Sequence, residues 1–254
     1  AERMSVAIES RPPMGDSPQR AQAKECIWRL SALAFGHPSR EFYDAVASGK
    51  FQEAFSDAWA DATGTPWPAM PASADFASFE AGYITAFLHG DRGKPVAALL
   101  AGEHEQILAG LTRPSFMLNV AAFYRHFGLK AATADEGKTD EPDHLASMLE
   151  LMSVLCHLEA AALAKGKDAS GYRRAQRDFL CRYLGPTLEA VAGLLRRNPV
   201  ELLDPTIGQL VQDISAWAAV QINELEVRVG PFRDPDAPKT SRVPAEPAAQ
   251  NLWG

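Results

Sequence analysis

The sequence predicts an all-α fold, a single bundle of about eight to ten helices. Three observations carry this expectation. Composition is the first: 43 alanines and 25 leucines stand against 28 valines, isoleucines and threonines combined. Alanine and leucine are the strongest helix formers, and β-branched side chains are the ones strands enrich. Helical periodicity is the second, with apolar residues returning every three or four positions through most of the chain. The third is punctuation, because capping hydroxyls and prolines open the periodic runs and glycine or proline closes them.

Residues 1–17 are polar and proline-bearing and read as a flexible arm. Ser17-Pro18 opens a helix, with a capping hydroxyl before a proline at the first helical position. Ile27, Leu30, Leu33 and Ala34 follow at helical spacing, and Gly36-His37-Pro38 closes the run. Short helices are expected over 39–48 and 51–62, then a loop from Thr63 to Ser73 marked by Pro66, Pro68 and Pro71. Asp75 to Leu88 carries Phe76, Phe79, Tyr83 and Phe87 on one stripe and runs into a glycine-punctuated turn, Gly90 to Pro95. A helical piece near 102–111 precedes a strong helix from Pro114 to Phe127, with Gly128 placed for a left-handed cap. Residues 129–141 read as a polar hinge.

The longest and most apolar helix is expected from Pro142 to Lys165, with a narrow polar line through Glu150, Ser153 and His157. Helices over 169–184, 186–197 and 204–228 follow, separated at Gly185-Pro186 and Asn198-Pro199. Five prolines from Gly230 onward mark a disordered tail over 230–254. The helical domain thus runs from 18 to 229.

Charge and cysteine usage exclude several function classes. Twenty-five basic against 32 acidic residues give a net charge of −7, the wrong sign for a nucleic-acid binder, whose affinity comes largely from neutralising phosphates. The surplus serves either solubility or a cationic partner. Three dispersed cysteines, Cys26, Cys156 and Cys181, exclude a disulfide scaffold and suit a reducing compartment. No apolar run nears the ~18–20 residues that cross a bilayer, so no stable membrane insertion is expected. Without an export-type N-terminus, the expected location is the cytoplasm.

Few motifs offer chemistry. Glu141-Pro142-Asp143-His144 holds one E-x-x-H, whereas di-iron bundles need two such pairs and further glutamates. No metal site, cofactor or catalytic constellation is therefore expected. The acids beside Pro142 also suit the positive end of a helix dipole. From Asp135 to Asp143, five acids and one lysine give a local charge of −4 beside an apolar helix. Such a patch suits an arginine-bearing apolar peptide, because guanidinium–carboxylate pairs are bidentate and directional. The Gly90–Pro95 turn is the one glycine-rich candidate for a phosphate, and it lacks P-loop spacing.

Phe123-Tyr124-Arg125-His126-Phe127-Gly128-Leu129, the acidic linker, and Glu141-Pro142-Asp143-His144-Leu145-Ala146 form an ordered combination. It resembles the TorD/DmsD/NarJ family of chaperones for molybdenum-containing oxidoreductases. Glu80, Tyr83, Phe87, Gly90, Gly93 and Pro95 resemble that family's earlier aromatic–glycine–proline segment, and Phe179 to Pro186 its later helix–proline junction. The likeness spans about residues 20–228. Two departures stand out: Met148 replaces a frequent glutamate, whose role is either lost or moved to Glu150, and the junction reads Tyr183-Leu184-Gly185-Pro186-Thr187 in place of His-Leu-x-Pro-Trp.

The resemblance implies a cytosolic, non-catalytic chaperone. It would bind a molybdoenzyme catalytic subunit, or its twin-arginine signal peptide, and hold it for cofactor insertion before export or assembly. Glu141 and Asp143 would receive client arginines, His144 would order the helix start, and Tyr83, Phe87, Tyr124 and Met148 would complete the peptide site. The alternative is a protein that binds or hydrolyses guanine nucleotides at Gly90–Pro95. A monomer or a dimer swapped through the 129–141 hinge is expected.

Overall fold

One helix, buried on nearly every side, organises the molecule. The computed structural model describes residues 17–90, 93–129 and 141–234. The body of the hinge, residues 1–16 of the expected arm and residues 235–254 of the expected tail lie outside these. In chain order the helices are α1 (Pro18–Phe35), α2 (Arg40–Ala47), α3 (Lys50–Thr63), α4 (Phe76–Phe87), the single turn α5 (Glu105–Leu108), α6 (Arg113–His126), α7 (Leu145–Ala164), α8 (Ser170–Phe179), α9 (Gly185–Arg197) and α10 (Pro205–Val229). Among the described residues there is no strand, only an isolated antiparallel bridge between Leu100 and His144. The all-α expectation holds.

Ser17 and Gly128 cap as the sequence suggested, and other helix ends use the same chemistry. Ser17, Ser39, Asp75, Thr112 and Asp204 each accept a backbone N–H from the first turn they precede, satisfying donors that a helix start otherwise leaves unpaired. Gly64 and Gly128 take left-handed φ values of 83° and 71° at the ends of α3 and α6. Asp204 is fully buried and is satisfied from three sides. It accepts from Thr206 N–H, Ser73 N–H and Ser73 Oγ–H, fastening the Pro-rich loop to the start of α10.

α7 is the core helix. Leu145, Met148, Leu149, Leu151, Met152, Leu155 and Cys156 are all buried, and α1, which buries Ile27, Trp28, Ala32 and Phe35, packs along it. By length and composition α7 could cross a membrane, although no such run was expected, because Glu150, His157 and Glu159 interrupt the apolar sequence. In the bundle, twelve of its twenty residues are buried against other helices. Glu150 and His157 face solvent as expected, whereas Glu159 is buried and bonded to Arg173 Nε at 2.7 Å and Gln176 Nε2 at 2.8 Å.

The helical piece expected near 102–111 shrinks to the single turn α5, and two further boundaries differ for reasons outside the local sequence. α7 begins at Leu145 rather than Pro142, because the backbone of Asp143 is committed to the 99–104 loop. The expected break at Gly185-Pro186 is absent. α8 passes through a π-helical turn, Leu180–Leu184, straight into α9. Pro186 has no N–H for an ordinary helical bond. The wider turn instead lets Gly185 N–H donate to Leu180 O, and a Cβ at position 185 would stand 2.6 Å from that oxygen. The first residues of the expected disordered tail are held: Arg177 Nη1 donates to the carbonyls of Val229 and Gly230, and Arg182 pairs with Asp234.

Gly82 shows how closely the helices approach. A Cβ there would lie 1.9 Å from Leu202 O and 2.5 Å from its carbonyl carbon. In an open helix Gly→Ala stabilises by about 1 kcal/mol. Gly82→Ala is expected instead to destabilise by ~1–3 kcal/mol or more, because backbone must move. Urea unfolding of the two proteins reads the sign.

Candidate functional site

The acidic motif lies where α6, α7 and the segment between Pro95 and Glu105 meet. Leu145 N–H donates to Leu99 O at 2.8 Å, and Ala101 N–H donates to Asp143 O at 2.9 Å, a two-bond clasp like one rung of a sheet. The Asp143 side chain adds a third bond, Oδ2 accepting from Gly102 N–H at 2.8 Å. His144 caps α7, its Nδ1 accepting from Ala146 N–H at 3.1 Å. From α6, Tyr124 Oη–H donates to Pro142 O at 2.8 Å. Every peptide from Pro142 to Leu145 is thus held by a named partner.

Asp143 is fully buried, and its Oδ1 has no hydrogen-bond partner among the described residues. Burial pushes its carboxyl above the usual carboxylate range, while the Gly102 N–H and the Arg113 guanidinium pull the other way. Burial also pushes the Tyr124 phenol up, with Glu150 and Asp143 adding to it. Arg113, the first residue of α6, reaches across to Glu141, Nη2 to Oε2 at 2.9 Å, with both side chains 43% exposed. A cation at a helix N-terminus opposes the dipole, so it needs such a carboxylate.

The structure brings Glu141, Asp143, His144 and Tyr124 together, and separates the rest. Met148 lies one turn along α7 and is fully buried. Tyr83 and Phe87 belong to the α4 core: Tyr83 Oη–H donates to Phe35 O at 2.9 Å, and Phe87 packs edge-on to Phe35 and Tyr83. These three, placed in the peptide site by sequence, do packing work here. Around Tyr124 stands an aromatic group that was not anticipated as one unit, with Phe116, Phe123, Phe179 and Tyr183 in edge-on or tilted contact. Of the −4 patch, Asp135, Glu136, Lys138 and Asp140 fall outside the described residues.

The Gly90–Pro95 turn spends amides on itself. Gly90 N–H donates to Lys94 O at 2.7 Å and Gly93 N–H to Gly90 O at 2.9 Å, whereas a phosphate cradle needs such donors aimed outward. Asp91 and Arg92 of that turn lie outside the described residues. Among the described residues no group of three or more His, Cys, Asp or Glu side chains is arranged to hold a metal ion.

The profile of the family described as nitrate reductase delta subunit matches residues 48–192, more than half of the chain. The chain belongs to that family. A dimethyl sulfide dehydrogenase assembly chaperone protein of Rhodovulum sulfidophilum is 51% identical over 243 residues, covering 96% of this chain and 97% of the relative. A perchlorate reductase assembly chaperone protein of Dechloromonas aromatica (strain RCB) is 31% identical over 180 residues, 65% of this chain and 74% of the relative. A selenate reductase assembly chaperone protein of Thauera selenatis is 34% identical over 137 residues, 53% and 67%. No solved structure gives a significant match. The matched family span contains the Pro95–Glu105 segment, α6 and the start of α7, so the whole clasp is inside it.

The raised Asp143 carboxyl predicts a pH signature. Its folded-state value exceeds the unfolded one, near 3.8, so its contribution to stability is full below that value and lost as pH rises through the folded value. Asp143→Asn cannot titrate. Wild-type stability relative to Asp143→Asn is therefore expected to rise as pH falls from 7 towards 4, measured by chemical denaturation at fixed salt. A pH-invariant difference contradicts the burial argument.

Proposed function

We propose that this chain is a cytoplasmic, non-catalytic assembly chaperone that holds the catalytic subunit of a molybdenum-containing oxidoreductase until its cofactor is inserted. The observation that carries this reading is near-full-length, 51% identity to an assembly chaperone for dimethyl sulfide dehydrogenase. The other relatives are named for assembling perchlorate and selenate reductases, enzymes of oxyanion reduction rather than of sulfide oxidation. The higher identity and coverage favour a client of the dimethyl sulfide dehydrogenase kind.

The contact we favour is the twin-arginine leader of that subunit, received at the clasp. Glu141 offers a half-exposed carboxylate to a guanidinium, and the buried Asp143 adds negative charge beneath it. His144 sets the direction of the α7 start on which both depend. Apolar contact fits α6 better than the buried Tyr83, Phe87 and Met148. Met117 lies one turn from Arg113 on the same face, and Leu118 is 63% exposed.

Co-expression tests the reading. The catalytic subunit of Rhodovulum sulfidophilum dimethyl sulfide dehydrogenase, with its leader intact, is expected to co-purify with this chain. Removal of the leader, or Glu141→Gln in the chaperone, is expected to cut recovery about ten-fold or more, which corresponds to ~1.4 kcal/mol. Failure to recover the intact subunit contradicts the chaperone assignment. Equal recovery without the leader leaves a chaperone that grips elsewhere on the subunit.

A further inference from the structure

We propose that Arg113 is a built-in occupant of the arginine site: in the free protein it fills the position that an arginine of an incoming peptide takes, and binding exchanges one guanidinium for the other. This rests on the assembly-chaperone reading of the same surface and adds to it how the site is guarded.

Three observations converge on Arg113. It stands at the first residue of α6, the positive end of the helix dipole, where a cation is disfavoured, and its bond to Glu141 Oε2 at 2.9 Å holds it over the clasp. Gly102 then makes room for two side chains at once. A Cβ at Gly102 would lie 2.8 Å from Asp143 Oδ2, 3.1 Å from Arg113 Cγ and 3.2 Å from Arg113 Nε. The arginine stem and the buried carboxylate therefore meet over the same glycine. Finally, the pairing is incomplete on both sides. Asp143 Oδ1 is buried without a partner, and Arg113 makes one hydrogen bond among the described residues although its fork carries five donors.

An incomplete pair is what a tether produces. Arg113 is fixed at its Cα to α6 and reaches Glu141 with one nitrogen, leaving Asp143 Oδ1 unbonded. A guanidinium arriving on a flexible peptide has no such constraint and can meet the half-exposed Glu141 carboxylate with both of its terminal nitrogens. Exposed ion pairs hold weakly, so displacing Arg113 is cheap. Its positive charge still acts on the buried Asp143 carboxyl while no client is bound, opposing in part the effect of burial.

The test uses a fluorescein-labelled synthetic peptide with two adjacent arginines before a leucine–alanine run, and its counterpart with both arginines changed to glutamine. Anisotropy titrations are made against the full chain, Arg113→Ala and Arg113→Lys, each checked for cooperative melting. Arg113→Ala is expected to bind the arginine peptide about two- to five-fold tighter than wild type, with Arg113→Lys between them and no tightening for the glutamine peptide. Equal or weaker binding by Arg113→Ala overturns the proposal. If that variant does not fold, the unmutated protein decides. The Arg113 Nε–H NMR signal, identified by its loss in Arg113→Lys, is expected to move at saturating arginine peptide. A signal that stays in place overturns the exchange. Binding of the arginine peptide by wild type without tightening in Arg113→Ala sinks this proposal alone. No binding of that peptide by wild type or either variant sinks the arginine reading of the site along with it.

Discussion

The clasp between residues 99–102 and 143–145 is the constraint on which the rest of the site depends. Two backbone bonds and one carboxylate–amide bond fix where the core helix α7 begins. The apolar face of α7 decides that the helix is central, but apolar contact is tolerant of sliding and says little about register along the axis. Directional bonds at one end supply that register. From it follow the positions of Glu141 on the rim, Asp143 beneath and His144 at the cap. The cost is a carboxylate held out of water with one oxygen unbonded among the described residues.

The fold was largely legible because its signals are local. Ser17 announced a helix start by hydroxyl chemistry that acts within one turn, and the helices expected near 39, 75 and 204 open on Ser39, Asp75 and Asp204 caps of the same local kind. The stripe on α7 gave its centrality. The misses were non-local. Pro186 signalled a break by the usual rule, and only the packing of Gly185 against Leu180 O shows how a π turn removes the need for one. Pro142 looked like a first helical residue, yet the partner that shifts the start to Leu145 is the segment Leu99–Gly102, some forty positions earlier. Nothing in the local sequence around Gly102 marks it as the residue whose N–H meets Asp143.

The candidate site shows the same division. Glu141, Asp143, His144 and Tyr124 were found as a cluster because they stand in a short motif and its upstream aromatic segment. Tyr83, Phe87 and Met148 were drawn in because aromatic and thioether side chains suit both a core and a binding wall. Burial separates the two uses, and sequence carries burial only through periodicity. Arg113 was passed over for the opposite reason: one arginine at a helix start has no pattern, and its meaning lies in Glu141 across the hinge. Membership of the nitrate reductase delta subunit family, with its assembly-chaperone relatives, fits a molecule whose polar chemistry is spent on positioning.

Native-state amide exchange at Ala101, Gly102 and Leu145 tests the clasp most directly. If it anchors α7, these three amides exchange only with global unfolding, at the rate of core amides such as Leu149 and Met152. In Asp143→Ala the Gly102 amide loses that protection while Leu149 keeps it. Fast exchange of all three in the unmutated protein, at the rate of an ordinary surface loop, would contradict the account. The site would then have no fixed frame.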